Sequence, residues 1–179
     1  MSQSNSALAK VAAALAFAAN KHRGQHRIDA ECSPYINHPI DLLNVLCCEA
    51  GIEDPDILCA AILHDTLEDT NTSKEEIARH FGPKVAAIVH EVSDDMRLPK
   101  RERWRLQIEK APHLSQEAKI VKLADKICNL RDLASSPPPH WSRERTQTYF
   151  DWAKSVIDQL RGTHPKLEAL FDQAYSKRP

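Results

Sequence analysis

Apolar residues recur along this chain at three- and four-residue steps, and β-branched alternation is nearly absent; the pattern predicts an all-α fold. Residues 6–21 predict an amphipathic first helix, with Ala and Leu at small-residue spacings and Gly24 at or just beyond its end. A polar loop from Gly24 to Asn37 leads to a helix with Pro39 in its first turn, where a missing N–H does no harm. The next helix is expected from Asp54-Pro55 to about Thr66. Thr72 with Glu75, or Ser73 with Glu76, offers a capping box for a helix ending near Phe81-Gly82, and Pro83 starts another through about Ser93.

Residues 94–100 read as a loop, followed by helices over 101–111, from Ser115 to Leu133, over 142–160 and over 165–177. The run Ser135-Ser136-Pro137-Pro138-Pro139 must be extended, because each proline disfavours helix in the residue before it. With no internal repeat and no interdomain linker, residues 1–179 are expected to form a single bundle of about eight to ten helices.

A chain of 179 residues can bury about 70% of the surface its unfolded form exposes, so no metal is needed as a folding staple. Lys and Arg total 24 against 25 Asp plus Glu, a formal charge of −1 that gives no bulk attraction to nucleic acid or acidic membranes. Any anion-binding site must therefore be local. Five cysteines with no C-x-x-C pair do not suit a complete disulfide framework and read as reduced thiols. The start lacks a secretory pattern, and no stretch approaches the roughly 18 apolar residues of a membrane span; the expectation is a cytoplasmic protein.

Against this background His64-Asp65 stands out, at the end of the apolar run from Ile57 to Leu63. A core helix has no structural need for an imidazole and a carboxylate side by side. His38 and Asp125 sit in comparable apolar surroundings, so two His and two Asp together offer the ligands for a metal ion. Mixed imidazole and carboxylate donors without thiolate suit Mn²⁺, Fe²⁺ or Co²⁺ and disfavour Cys-rich zinc. A divalent ion acidifies water and neutralises phosphate oxygens, which suits hydrolysis of a phosphoester or phosphoanhydride.

Residues four apart on a helix share a face, so Glu68 can approach His64, Asp69 can approach Asp65, and Asn129 can join Asp125. Glu68 and Asp69 could orient or deprotonate the water, or be solvated carboxylates at a helix end. Asn129 could equally be a buried polar link. The other histidines, His22, His26, His80, His90, His113, His140 and His164, read as surface or packing residues.

Four strings occur in order: Lys21-His22-Arg23-Gly24-Gln25, Pro34-Tyr35-Ile36-Asn37-His38-Pro39, Ala60 to Thr70, and Val121 to Asp132. Over residues 8–171 the chain resembles the HD-type hydrolase domain of RelA/SpoT proteins, most closely its small stand-alone metazoan form. The resemblance implies a compact all-α HD domain that uses one Mn²⁺ ion to remove pyrophosphate from the 3′ position of (p)ppGpp-like purine nucleotides. It implies His38, His64, Asp65 and Asp125 as metal ligands, and Glu68 and Asp69 as the pair that positions the attacking water. Asn129 falls beside metal and ribose; Arg27, Tyr35, Lys100, Arg145 and Tyr149 fall at substrate-binding positions. Arg27 is followed by Ile28 where the family commonly has a second cation, which leaves purine preference and phosphate count open.

The chain has no room for the synthetase and regulatory domains of long RelA/SpoT proteins, so hydrolysis without synthesis is expected. The partner is a small nucleotide, with no nucleic acid and no membrane; a homo-oligomer stays open. A phosphatase acting on the 2′-phosphate of NADPH is the rival enzyme. A nucleotide sensor that keeps the fold is disfavoured, because all four ligands and both acids are present.

Overall fold

The computed structural model describes residues 2–179, with side chains from Ala7 onward. Helix α1 (Ser2–Lys21) lies against α3 (Pro55–Leu63), the central helix, which also packs on α2 (Asn37–Asn44), α6 (Pro83–Val92) and α8 (Gln116–Ser135). The start of α3 follows from its sequence: Asp54 accepts the Asp56 N–H at 2.8 Å, and Pro55 occupies the first helical position. Every residue from Ile57 to Leu63 is buried, as a helix apolar on all sides requires.

α5 (Lys74–Phe81) and α6 form a hairpin across Gly82, whose φ of 96° reverses the chain. α7 (Lys100–Lys110) leads to α8, and α9 (Arg143–Ile157) and α10 (Pro165–Tyr175) close the other side of α8. One hydrophobic cluster runs from Ala14 on α1 to Ala174 on α10. Its largest fully buried members include Phe150, Phe171, Leu46 and Ile62.

Most predicted elements are present, and three local differences have physical causes. First, the helix expected to reach Thr66 ends at Leu63, and Thr66–Asp69 form a separate turn, α4. The Thr66 hydroxyl donates to the Leu63 carbonyl at 2.6 Å, and His64 Nδ1 bonds the Ala61 carbonyl at 2.8 Å. Side chains thus compete for carbonyls that a continuing helix would use.

Second, α2 runs on into a wider, π-helical turn, Val45–Ala50, which periodicity did not predict. Gly51 at φ 78° ends it, and the Ile52 N–H returns to the Leu46 carbonyl at 2.9 Å. Third, Ser73 is the cap of α5, accepting the Glu76 N–H at 3.1 Å, while the Glu76 carboxylate turns to Lys21 on α1. At their ends α8 extends to Ser135, whereas α9 stops at Ile157 before a tight 3₁₀ turn, Asp158–Leu160.

The loop between α1 and α2 is pinned rather than free. Arg27 N–H donates to Ser33 O at 2.8 Å and Tyr35 N–H to Gln25 O at 3.0 Å, so the loop folds back on itself and delivers Arg27 and Tyr35 to one side. Among the described residues no helix is long and apolar enough to cross a membrane.

Phe150→Ala, which empties a fully buried ring site, should lower unfolding free energy by about 3–5 kcal/mol. Ser73→Ala, which removes a single cap, should cost only about 1 kcal/mol. Urea titration of both variants measures the two values.

Candidate metal centre and cleft

His38 sits in the first turn of α2, His64 and Asp65 at the break after α3, and Asp125 in the middle of α8. Packing of these three elements on one another brings the side chains together. Donor atoms of His38, His64 and Asp65 lie within 4.8 Å of one another. Asp125 Oδ1 is 3.4 Å from His38 Nε2 and 3.8 Å from His64 Nε2. His38, His64 and Asp125 are 2%, 5% and 8% exposed, while the Asp65 side chain is 23% exposed, so the cluster is buried among the helices and reached from the Asp65 side.

The donor set fits a divalent cation. His64 Nδ1 keeps its proton on Ala61 O, so Nε2 is the ring atom turned toward the cluster, and it can offer a lone pair to a cation once its own proton has left. That Nε2 is buried, lies 3.0 Å from Asp65 Oδ2 and forms no aligned hydrogen bond. Imidazole nitrogens and carboxylate oxygens that converge on one point are the donor set that a divalent ion with mixed nitrogen and oxygen ligands requires. The Tyr35 hydroxyl donates to Asp65 Oδ2, and Asn129 Nδ2 donates to Asp125 Oδ1, so both carboxylates are held from outside. His38 Nδ1 is buried without such a partner.

The electrostatics divide the two imidazoles. Burial pushes His38 below the ordinary histidine range and keeps it neutral. Burial acts the same way on His64, but the Asp65 and Asp125 carboxylates outweigh it and raise the group to about 9. Asp125 is held well below the usual carboxylate range against its own burial, chiefly by Lys126, whose Nζ is 2.9 Å away. Glu68 is raised to about 7 by burial and the nearby Asp65 charge, and Asp69 is raised by the same two causes.

Glu68 and Asp69 remain close to the cluster although the helix breaks, because the N–H groups of both return to Asp65 O at 3.2 and 2.9 Å. A cleft of about 460 Å³ opens beside the cluster, and His38, Tyr35, Asn129, Arg27, Lys100 and Tyr149 all line it. Arg27 is already engaged, its guanidinium 2.6 Å from Asp132 and 3.4 Å from Asn129 Oδ1. Lys100 lies over Trp104, 4.8 Å from the ring centre. Arg145 does not line the cleft; it stacks 4.4 Å over Trp141, which does.

Sequence reasoning missed several participants. Lys126 is buried, paired with Asp125 and set 4.6 Å over the Trp152 ring; the signal was a lysine inside an apolar stretch of helix, where charge is rarely buried unpaired. Trp104 and Trp141 line the cleft, and no spacing rule marks them. His22, by contrast, is the packing residue that the sequence allows: it is buried and stacks on Tyr35 with centroids 4.6 Å apart.

The model of the HD-domain family matches residues 14–154, and the chain belongs to that family. Within it, the chain is 56% identical over 159 residues to the guanosine-3′,5′-bis(diphosphate) 3′-pyrophosphohydrolase MESH1 of Xenopus tropicalis, with 89% of each chain covered. Identity to the Homo sapiens protein of that name is 53% over 162 residues, 90% of each chain. A solved structure described as a metazoan ortholog of SpoT that hydrolyzes ppGpp and plays a role in starvation responses superposes with a TM-score of 0.92. It shares 49% identity and covers 95% of this chain and 96% of its own.

A cation entering the cluster must displace the second proton of His64, which is protonated below about 9. The sign follows: apparent affinity for a divalent ion should rise by about tenfold per unit between pH 7.5 and 8.5 and level off above 9. Calorimetry at pH 8 in buffers of different ionisation enthalpy should record about one proton released per ion. Binding without proton release contradicts this protonation pattern.

Proposed function

We propose that this chain is a Mn²⁺-dependent hydrolase that removes the 3′-pyrophosphate of (p)ppGpp-type purine nucleotides, leaving a nucleoside 5′-di- or triphosphate. The observation that carries the reading is the convergence of His38, His64, Asp65 and Asp125 beside a cleft with cations along its walls. The high identity to curated 3′-pyrophosphohydrolases supports the substrate class.

In this reading His38, His64, Asp65 and Asp125 hold the cation. When bound, that cation supplies positive charge that acidifies water and offsets phosphate charge. Glu68, standing on the turn whose N–H groups return to Asp65 O, is suited to take a proton from the attacking water. Asp69, on the same short turn, orients the water with it. The water oxygen joins the 3′-linked phosphorus, the bond from that phosphorus to the ribose oxygen breaks, and the ribose oxygen leaves with a proton as the 3′-hydroxyl.

Other residues bind and orient. Asn129, fixed between Asp125 and Arg27, faces the cleft where it can reach the ribose. Arg27 and Lys100 supply donors for phosphate oxygens, with Arg145 at the rim. Tyr149 supplies an aromatic wall, and Tyr35 steadies Asp65 while lining the same space. Ile28, 60% exposed on the lining, leaves one edge without a second cation. Guanine is the default base, and adenine analogues share the phosphate chemistry. The chain acts on a soluble nucleotide and is expected in the cytoplasm.

Incubation with Mn²⁺ and guanosine tetraphosphate, its adenosine counterpart or NADPH, with every product resolved by chromatography, tests the proposal. Pyrophosphate and nucleoside diphosphate are expected from the tetraphosphates. Asp65→Ala and Asp125→Ala should each lower turnover by at least about 10²-fold with helix content retained. Release of orthophosphate alone, or full activity in either variant, sinks the mechanism.

A further inference from the structure

Glu68 stands on α4, a single turn of four residues, and its side chain has three rotatable bonds. Little in that turn itself fixes the carboxylate. What fixes it comes from elsewhere: the backbone N–H of Asp94 donates to Glu68 Oε1 at 2.8 Å.

The Val92–Asp94 segment, where α6 ends, is in turn tied down on several sides. The Ser93 hydroxyl donates to Val89 O at 2.7 Å and lies 3.4 Å from His64 O. The buried Lys122 of α8 donates to Val92 O at 2.7 Å. From α7, Gln107 Nε2 donates to Asp94 Oδ2 at 2.8 Å, and Arg103 Nη1 is 3.9 Å from the same oxygen.

Gln107 shares a face of α7 with Lys100, Arg103 and Trp104, at steps of three, four and seven residues. Lys100 and Trp104 line the substrate cleft. One helix therefore presents a cation to the cleft and grips the loop that holds the water-activating carboxylate.

We infer that Asp94 is a positioning residue: clamped by Gln107 and Arg103 of α7, it holds its own amide so that Glu68 points one oxygen away from the attacking water and keeps the other available. The inference deepens the hydrolase reading and rests on it for the role of Glu68. Asp94 lies outside the cleft lining and outside the His38, His64 and Asp65 group. Its side chain acts through its main chain, and Gln107 acts through Asp94. Loss of the clamp frees Glu68 to rotate, which weakens proton transfer without weakening binding.

The test combines kinetics with a measurement that needs no substrate. Asp94→Ala and Gln107→Leu should each lower kcat by about tenfold, with KM and Mn²⁺ affinity within about twofold of the parent. Asp94→Asn, which keeps an acceptor for Gln107, should recover most of that loss. In a Glu68→Gln background, followed under enzyme excess, Asp94→Ala should add no further loss, because the two act as one unit. In the metal-free protein, hydrogen exchange at the Asp94 amide should quicken by about tenfold or more in Glu68→Ala and in Gln107→Leu, with the α8 core unchanged.

Additive losses in the Glu68→Gln background, an unchanged kcat, or an Asp94 amide indifferent to Glu68→Ala each overturn the assignment. A parent enzyme that releases no pyrophosphate overturns the substrate reading instead; the exchange measurement then still decides whether Asp94 holds Glu68.

Discussion

The buried charge of Asp125 is the constraint around which the bundle is organised. A carboxylate 8% exposed in the middle of a core helix is tolerable only if partners surround it. They come from every side: Lys126 from its own helix, His38 from α2, His64 from the end of α3 and Asn129 one turn further along α8. The elements that build the hydrophobic core are therefore the elements that must meet at this carboxylate. Fold and site are one packing solution.

A second dependence follows at the break after α3. Had the helix continued through Thr66, the spacing of His64, Asp65, Glu68 and Asp69 would be that of a regular cylinder. The Thr66 hydroxyl and the His64 imidazole instead capture carbonyls of the preceding turn, and the chain bends there. The bend lets His64 and Asp65 both face the cluster although neighbours on a helix diverge by about 100°. Glu68 then rises on a separate turn, reached by the loop that ends α6.

Much of the architecture was legible from periodicity and punctuation. Pro55, Pro83, Pro165, Ser115 and Gly82 each mark the boundary that their chemistry dictates, and the meeting of His38, His64, Asp65 and Asp125 side chains could be anticipated because an apolar context makes them conspicuous. The rest was hidden for identifiable reasons. Two potential caps, Thr72 and Ser73, stand adjacent; the Thr72 hydroxyl is buried against Thr70, 2.7 Å away, which leaves Ser73 to cap α5. The wide turn at Val45–Ala50 keeps apolar residues inward, so it leaves no break in the pattern. Aromatic residues on the cleft come from α7, α9 and the preceding loop, a meeting that no local rule encodes.

Lys126 joins two worlds that are otherwise separate, since its ammonium touches Asp125 on one side and the face of Trp152 on the other. The ammonium therefore neutralises the carboxylate from one face and rests on the indole with the other. Trp152 stacks in turn on Trp104, 4.4 Å away on the cleft wall. The protein thus links an indole to its buried carboxylate through a single lysine, so the charge that holds Asp125 also sets the polarity around Trp152.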